Sequence, residues 1–343
     1  MDEILKEKVL RYLDKTSSLI DLELVKLIKS QPQIENLHDA MIYALGLDID
    51  ERKQRGKRIR PALCLMTCED LIGDYSKAIP FALSVELLHN YFLIHDDIED
   101  EDKIRRERPA IWVKYGLAHG INIGDYMNTL IFTAISKSKE TGLNDNKIME
   151  LINITIDTLE HTGRGQTLDL NARYTDNITY EHYMEIVTEK TGYYLALPIV
   201  GGAIIGDAEP NIISSIIAYG KNIGPMFQII DDVLDLTQGK GRGEIGSDIR
   251  EGKRSILVAH TSQNCSLGEK KELFHILNKP RDSTSNEDIQ YVIQLFNKYE
   301  SINFSMDQVS KLQHQAELTL QDLPNEFRKH LTFAAEFIGG RNS

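Results

Sequence analysis

The sequence predicts an all-α protein, and three observations carry that expectation. Leu, Ile, Glu, Lys and Ala are abundant, while aromatic residues make up only 7% and Pro numbers nine in 343 residues, a composition that favours helices over a β-sandwich. Apolar residues recur at three- and four-residue spacing through most of the chain, the period of a helix with one buried face. Short polar or Gly-containing turns separate these stretches, with no strand-like alternation, and short connections make neighbouring helices antiparallel. The apolar content of 41% is enough for one large core, and no shift of composition divides the chain. A single helical domain over residues 1–343 is therefore expected.

The elements follow in order. The opening MDEILKEKVLRYLDKTSSLIDLELVKLIKS mixes charge with apolar residues at helical spacing and lacks the uninterrupted apolar core of a signal peptide. It is expected to remain in the mature protein as a helix over 3–29. Further helices are expected over 34–46, 59–73, 76–101, 119–137, 146–173, 179–190, 191–206, 209–237, 252–263 and 285–299, with two more reaching about residue 338. The most apolar stretch, 195–206, is too short to span a membrane and contains Pro198, Gly201 and Gly202, so no transmembrane segment is expected. The segment 264–284 carries the weakest helical pattern and is expected to cap the bundle with little chemistry of its own.

Cys64, Cys68 and Cys265 are odd in number and have no second ligand pair nearby, which argues against a disulfide framework or a zinc site. Buried thiols in a reducing cytoplasm are expected. A net charge of −13 argues against a nucleic-acid partner. Positive charge is nevertheless concentrated in GKRIRP (56–61), KIRRER (103–108), Lys190 and REGKR (250–254), islands suited to a small polyanion held in a pocket.

Two acidic clusters stand out. HNYFLIHDDIEDED places Asp96, Asp97 and Asp100 at the end of an apolar helical run, with Asp96 and Asp100 spaced i, i+4 on one face. One such cluster is explained by a solvated acidic surface. A second follows in QIIDDVLD, with Asp231, Asp232 and Asp235, again after an apolar run. Paired carboxylates that met across a bundle core would need cations to offset their repulsion, and oxygen-only ligands favour a hard ion such as Mg²⁺, which binds one or two carboxylates together with substrate phosphates. His95 reads as packing or as a neighbour of the ligands.

GKRIRP, ELLHNYFLIHDDIED, RRERP, GRGQTLDL, EKTG, MFQIIDDVLD and GSDIREGKRS occur in this order across roughly residues 50–265, and the series resembles the trans-isoprenyl diphosphate synthases. The closest likeness is to archaeal short-chain enzymes that make farnesyl and geranylgeranyl diphosphate. The resemblance implies an isoprenoid-synthase-type helical bundle with a central cavity, condensing isopentenyl diphosphate with dimethylallyl, geranyl or farnesyl diphosphate. It also implies a cytoplasmic homodimer using about three Mg²⁺ ions, with Mn²⁺ as a substitute. By the same resemblance Asp96, Asp100 and Asp231 match the metal ligands, and Asp97, Asp232 and Asp235 complete the clusters behind them. Arg105 and Lys190 match cationic contacts to the allylic diphosphate, and Lys253 a further one. Lys57, Arg60, His89 and Arg106 match the pocket for isopentenyl diphosphate, while Thr191 and Gln228 match polar groups facing the developing carbocation. The chemistry accords with that division. Metals and cations aimed at a leaving diphosphate lower the barrier to its departure, whereas the second substrate must keep its diphosphate and needs a purely basic pocket.

Gln166 and Asp169 fit both a family motif and a hydrogen-bonded packing pair. Trp112 and Tyr115 read as core. Phe92 lies four residues before Asp96 on the same helical face, about 6 Å down the axis, with Tyr91 turned about 100° away and Leu88 one turn deeper, so the two rings are expected to wall the tail cavity. A short product, in the C15–C20 range, follows. Two positions depart from the family pattern. Glu107 stands where Gly often follows the Arg pair, and Gly243 or Glu244 occupies the place of a Lys before Gly246, with Lys240 or Arg242 as possible stand-ins. A terpene cyclase would not need the second, basic pocket, and a non-catalytic regulatory subunit would be expected to lose an Asp cluster.

Overall fold

The computed structural model describes residues 3–49, 55–237 and 245–339. They are helical almost throughout. The only regular strands among them form one two-stranded hairpin. The chain divides into two compact units, the first formed by Met1–Ile156, Leu197–Ser214 and Leu323–His330, the second by Asp157–Ala196, Ser215–Asp322 and Leu331–Ser343.

The first unit contains α1 (Glu3–Lys29), α2 (His38–Ala44), α3 (Ile59–Ile72), α4 (Ile79–Glu99), the hairpin β1 (Ile104–Arg105) and β2 (Arg108–Pro109), α5 (Ile111–Tyr115), α6 (Leu117–Ser136) and the start of α7 (Asp145–Ala172). Helix α4 is its axis. It is apolar on nearly every side, with Phe81, Val85, Leu87 and Leu88 all at or near zero exposure, as expected for a helix enclosed all round. Each such side chain contributes about 1.5–3 kcal/mol by leaving water. Helix α6 is its main neighbour, and α3 the next. Gly201 and Gly202 let the 197–214 stretch approach closely, since a Cβ at Gly201 would collide with the Phe81 ring and one at Gly202 with the Cys64 carbonyl.

The second unit holds the rest of α7, then α8 (Tyr180–Val187), a π-helical turn over Thr188–Gly192, the start of α9 (Tyr193–Ile205) and most of α10 (Pro210–Leu234). After these come α11 (Ser247–Arg250), α12 (Ile256–Asn264), α13 (Leu267–Leu277), α14 (Asn286–Lys298), α15 (Ser301–Thr319) and the end of α16 (Asn325–Gly339). Thr179 caps α8 by accepting from the His182 N–H, and Ser266 with Glu269 and Ser285 with Asp288 form capping boxes on α13 and α14.

Several expectations change. The break expected at 190/191 is a π turn that joins α8 to α9. The segment 264–284 contains a full helix, α13, started by its capping box, so local capping outweighed its weak periodicity. Trp112 and Tyr115 are only part-buried, and the Trp112 indole donates to the Asp102 carbonyl at 2.8 Å, so it pins a loop instead of filling the core. Cys64 and Cys68 are buried as expected, with burial pushing the Cys68 thiol up to about 12, while Cys265 is only part-buried. No described helix is long and apolar enough to cross a membrane.

Candidate active site

In the first unit, α4 ends in the acidic cluster. The N–H of Asp100 bonds to the Asp96 carbonyl at 2.8 Å, and Glu101 then leaves the helix at φ 56°. The carboxylates of the cluster face different surroundings. Asp96 and Asp100 are part-exposed, whereas Asp97 is 3% exposed. Asp97 Oδ1 accepts from Arg105 Nε at 2.7 Å and also from Nη2 of the same guanidinium, while Asp102 lies 3.6 Å from that Nη2. Asp97 thus holds Arg105 in place.

Arg105 and Arg108 pair across the hairpin, and the two residues of its turn, Arg106 and Glu107, both have positive φ, 52° and 63°. Two-residue hairpin turns require that conformation, which Gly adopts most readily. Glu107 therefore keeps the turn geometry expected for the usual Gly. Arg108 is anchored to Asp48 at 2.6 and 2.9 Å, and Arg106 donates to the Arg55 carbonyl at 3.1 Å. Gly56 lies against the Arg106 guanidinium, which a Cβ there would meet at 3.1 Å.

GKRIRP lies in this same neighbourhood. Lys57 is exposed and Arg60 part-buried, but Arg58 between them is wholly enclosed, in the left-handed conformation at φ 49°. Its guanidinium donates to Asp21 at 2.8 Å, to Glu86 at 2.7 Å and to the Leu45 carbonyl at 2.5 Å, and Asn90 steadies Glu86 at 3.0 Å. Sequence reading passed over Arg58, because a third basic residue in a basic run carries no local mark of burial. Burial first, then Arg60, Arg106, Arg58 and Arg105, hold the His89 imidazole well below its ordinary pKa and therefore neutral. Burial, opposed by Glu86 and reinforced by Arg58, Arg105 and Arg60, likewise lowers the Arg106 pKa. Arg60, His89 and Arg106 are thus brought together, with Arg105 beside them. A nearby cavity of about 40 Å³, lined by residues including Asn90, Asp97, Arg105 and Arg106, has room for a few waters only.

Farther up α4, Tyr91 and Phe92 are part-buried with ring centroids 5.0 Å apart, and Tyr91 meets the His95 ring edge-on at 5.0 Å. His95 packs onto Gly124 of α6, where any Cβ would collide with it. Leu88 is fully enclosed.

The second unit repeats the pattern with different partners. Asp231 is part-exposed, while Asp232 and Asp235 are at 1% and 0% exposure. Asp232 accepts from Tyr183 at 2.8 Å, from Gln228 Nε2 at 3.0 Å and from Lys253 at 2.8 Å. With its nitrogen donating to Asp232, Gln228 keeps its amide oxygen for another partner. Asp235 accepts from the Ser247 hydroxyl at 2.6 Å and the Asp248 N–H at 3.1 Å, tying the loop before α11 to the end of α10. Burial works against the charge on Lys253, but Asp232, Asp248, Asp169 and Asp231 hold its pKa well above the usual value. Burial drives the Tyr183 hydroxyl strongly upward, helped by Asp232, so it stays a donor.

The loop that carries Lys253 rests on α13. Gly252, at φ 68°, packs so closely on the Leu277 carbonyl that a Cβ would not fit, and the buried Arg254 donates to Asn278 at 2.6 Å and to the Thr175 carbonyl at 2.9 Å. The segment expected to carry little chemistry therefore supports a candidate substrate contact. Lys190 lies in the π turn and donates to the buried Asp169 at 2.9 Å, with Thr191 buried beside it. Burial raises the Asp169 pKa, but Lys190 and Lys253 outweigh it and keep the carboxylate ionised. The packing alternative for Asp169 has thus become a specific ion pair. Gly165 and the Gly192–Gly224 approach make room for this turn. Lys240, Arg242, Gly243 and Glu244 lie outside the described residues.

Among the described residues no three carboxylate, imidazole or thiolate groups form a closed metal cage. The donors on offer are the part-exposed carboxylates of Asp96 and Asp100, one turn apart, and that of Asp231. Such oxygen-only sets suit Mg²⁺, which completes its shell with phosphate and water.

A family model described as polyprenyl synthetase matches residues 49–296. A geranylgeranyl diphosphate synthase of Saccharolobus solfataricus is 34% identical over 288 residues, 82% of this chain and 85% of its own. A geranylfarnesyl diphosphate synthase of Natronomonas pharaonis is 30% identical over 330 residues, 90% of this chain and 91% of its own. The crystal structure of a geranylgeranyl pyrophosphate synthase from Corynebacterium glutamicum, complexed with isoprenyl diphosphate and magnesium, aligns with a TM-score of 0.84 and 25% identity, covering 96% of this chain and 99% of that one.

Proposed function

The chain belongs to the polyprenyl synthetase family and is a prenyltransferase, and we propose that it condenses isopentenyl diphosphate with short allylic diphosphates to make farnesyl and geranylgeranyl diphosphate. The observation that carries this reading is the crowd of guanidinium groups around His89. Arg106 is held where its own charge is disfavoured, so a multiply charged anion relieves the strain of that site. With Lys57, Arg60, His89 and Arg106 this is the pocket for isopentenyl diphosphate, binding it by fixed cations so that its diphosphate is retained.

Arg105, Lys190 and Lys253 bind the allylic diphosphate, each aimed by a buried carboxylate: Asp97, Asp169 and Asp232. Asp96, Asp100 and Asp231 hold Mg²⁺, with Asp235 bracing the second cluster from behind. When bound, the metal neutralises charge developing on the leaving diphosphate. The allylic C–O bond breaks with its electron pair going to that diphosphate. The double bond of isopentenyl diphosphate then attacks the cation, and a proton is lost to the departed diphosphate. Thr191 and Gln228 turn oxygen dipoles toward the cation and offer no nucleophile that would trap it. Residues 1–343 work as one catalytic domain, as a homodimer in the cytoplasm, with Mn²⁺ able to replace Mg²⁺. The relative named as a geranylfarnesyl synthase sets the upper bound against which the shorter product is judged.

Purified protein given Mg²⁺, radiolabelled isopentenyl diphosphate and a series of allylic primers tests the reading. Label should enter a linear prenyl diphosphate, and excess EDTA should stop it. Asp96→Ala or Asp231→Ala should cut kcat more than ~100-fold, the scale of losing one preorganised electrostatic element. Cyclised hydrocarbon as product, no incorporation, or full turnover in EDTA would overturn it.

A further inference from the structure

The π turn at Thr188–Gly192 carries two residues proposed above to act on the allylic substrate, yet nothing in its own sequence holds it open. A π turn is wider than the α turn it replaces and persists where surrounding contacts select it, often at functional sites. Here one stripe of α7 does so. His161, Arg164, Gly165 and Asp169, spaced to share a helical face, all meet the turn.

Glu189 and Lys190, adjacent in sequence, are drawn to different partners on that stripe. Lys190 reaches Asp169 at 2.9 Å, and Glu189 Oε2 lies 2.9 Å from His161 Nδ1 and 3.3 Å from Arg164 Nε. Gly165 lets the Lys190 backbone lie directly on α7. The His161 ring also stacks flat on Tyr193, the first residue of α9, with centroids 3.4 Å apart and planes 8° from parallel. Lys221 sits 4.8 Å over the same tyrosine ring. One imidazole therefore touches residues on both sides of Lys190 and Thr191.

We propose that His161 is a positioning residue which, through Glu189 and Tyr193, fixes the π turn and so aims Lys190 and Thr191 at the allylic diphosphate; this rests on the function proposed above. Its hydrogen bonding suits the task in either neutral tautomer. Nδ1 lies 2.9 Å from both the Glu189 carboxylate and Arg164 Nη2, so it donates to Glu189 when protonated and accepts from Arg164 when not. In both forms the stacked ring stays tethered to the α7–Glu189 junction.

The test compares wild type, His161→Ala and His161→Asn, whose amide nitrogen can reproduce the Nδ1 donor. Amide hydrogen exchange over residues 188–193 is measured beside steady-state kinetics for each substrate. His161→Ala should speed exchange in that segment and lower kcat/KM for the allylic diphosphate about tenfold, the worth of one hydrogen bond to a charged group. The KM for isopentenyl diphosphate should hold, and His161→Asn should recover most of both losses. Unchanged exchange in His161→Ala, or equal changes for the two substrates, would overturn the proposal. A wild-type protein without prenyl transfer would instead overturn the proposed function, and the exchange data alone would then decide whether His161 holds the turn.

Discussion

Lys253 donates to Asp232 across 2.8 Å, just as Arg105 donates to Asp97, so the middle carboxylate of each acidic cluster holds a cation. The two clusters therefore divide their labour between buried carboxylates that orient cations and part-exposed ones that remain accessible. Lys253→Ala leaves Asp232 buried without its ammonium and should cost about 3 kcal/mol of stability. Asp231→Asn should leave the denaturant midpoint nearly unchanged while abolishing turnover. Urea unfolding of the two variants beside their activities checks the division, and equal stability losses would refute it.

Arg58 and Arg60 should part company in the same way. Arg58→Ala strands Glu86 and Asp21 and should destabilise the fold by about 3–5 kcal/mol. Arg60→Ala should fold normally and raise KM for isopentenyl diphosphate more than KM for the allylic substrate. Initial rates with each substrate varied in turn, together with melting curves, separate the two effects.

His89 sets a pH limit. Its folded pKa lies below the unfolded value of 6.5, so the unfolded chain takes up the proton first and stability falls as pH drops below 6.5. The slope from this one group is at most about 1.4 kcal/mol per pH unit. His89→Gln should flatten that part of the stability profile, as read from unfolding curves between neutral and mildly acidic pH.

Product length should follow the rings of α4. Tyr91→Ala with Phe92→Ala removes two part-buried rings ahead of Asp96 and should lengthen the product. Leu88→Phe instead forces bulk into a filled site and should cost about 1–3 kcal/mol while shortening the product or leaving it unchanged. Chromatography of the dephosphorylated products decides. An unchanged product from the double alanine variant would show that these rings are not the stop.

The helices and both acidic clusters were legible because helical periodicity and repeated charge are local patterns. So were the residues gathered around His89, since the motifs that carry them recur in order. What stayed hidden is long-range. Arg58 looks like its basic neighbours until Asp21 and Glu86 enclose it, and Tyr183 has no sequence mark of its contact with Asp232, 49 positions away. The π turn was read as a break because a single widened turn shifts the apolar register just as a helix end does. The weak pattern of α13 concealed the carbonyl and amide that hold the Lys253 loop.

Glu107 has an evolutionary consequence. A side chain at φ 63° costs about 1 kcal/mol against Gly, but Gly gives the unfolded chain extra freedom worth about 0.4–1 kcal/mol. The two terms nearly cancel, so exchange between Gly and Glu at this turn is close to invisible to selection for stability. It is not invisible to stiffness. A lineage can drift between the two residues without loss of fold and, in doing so, sample tighter or looser tethering of the adjacent Arg105 and Arg106.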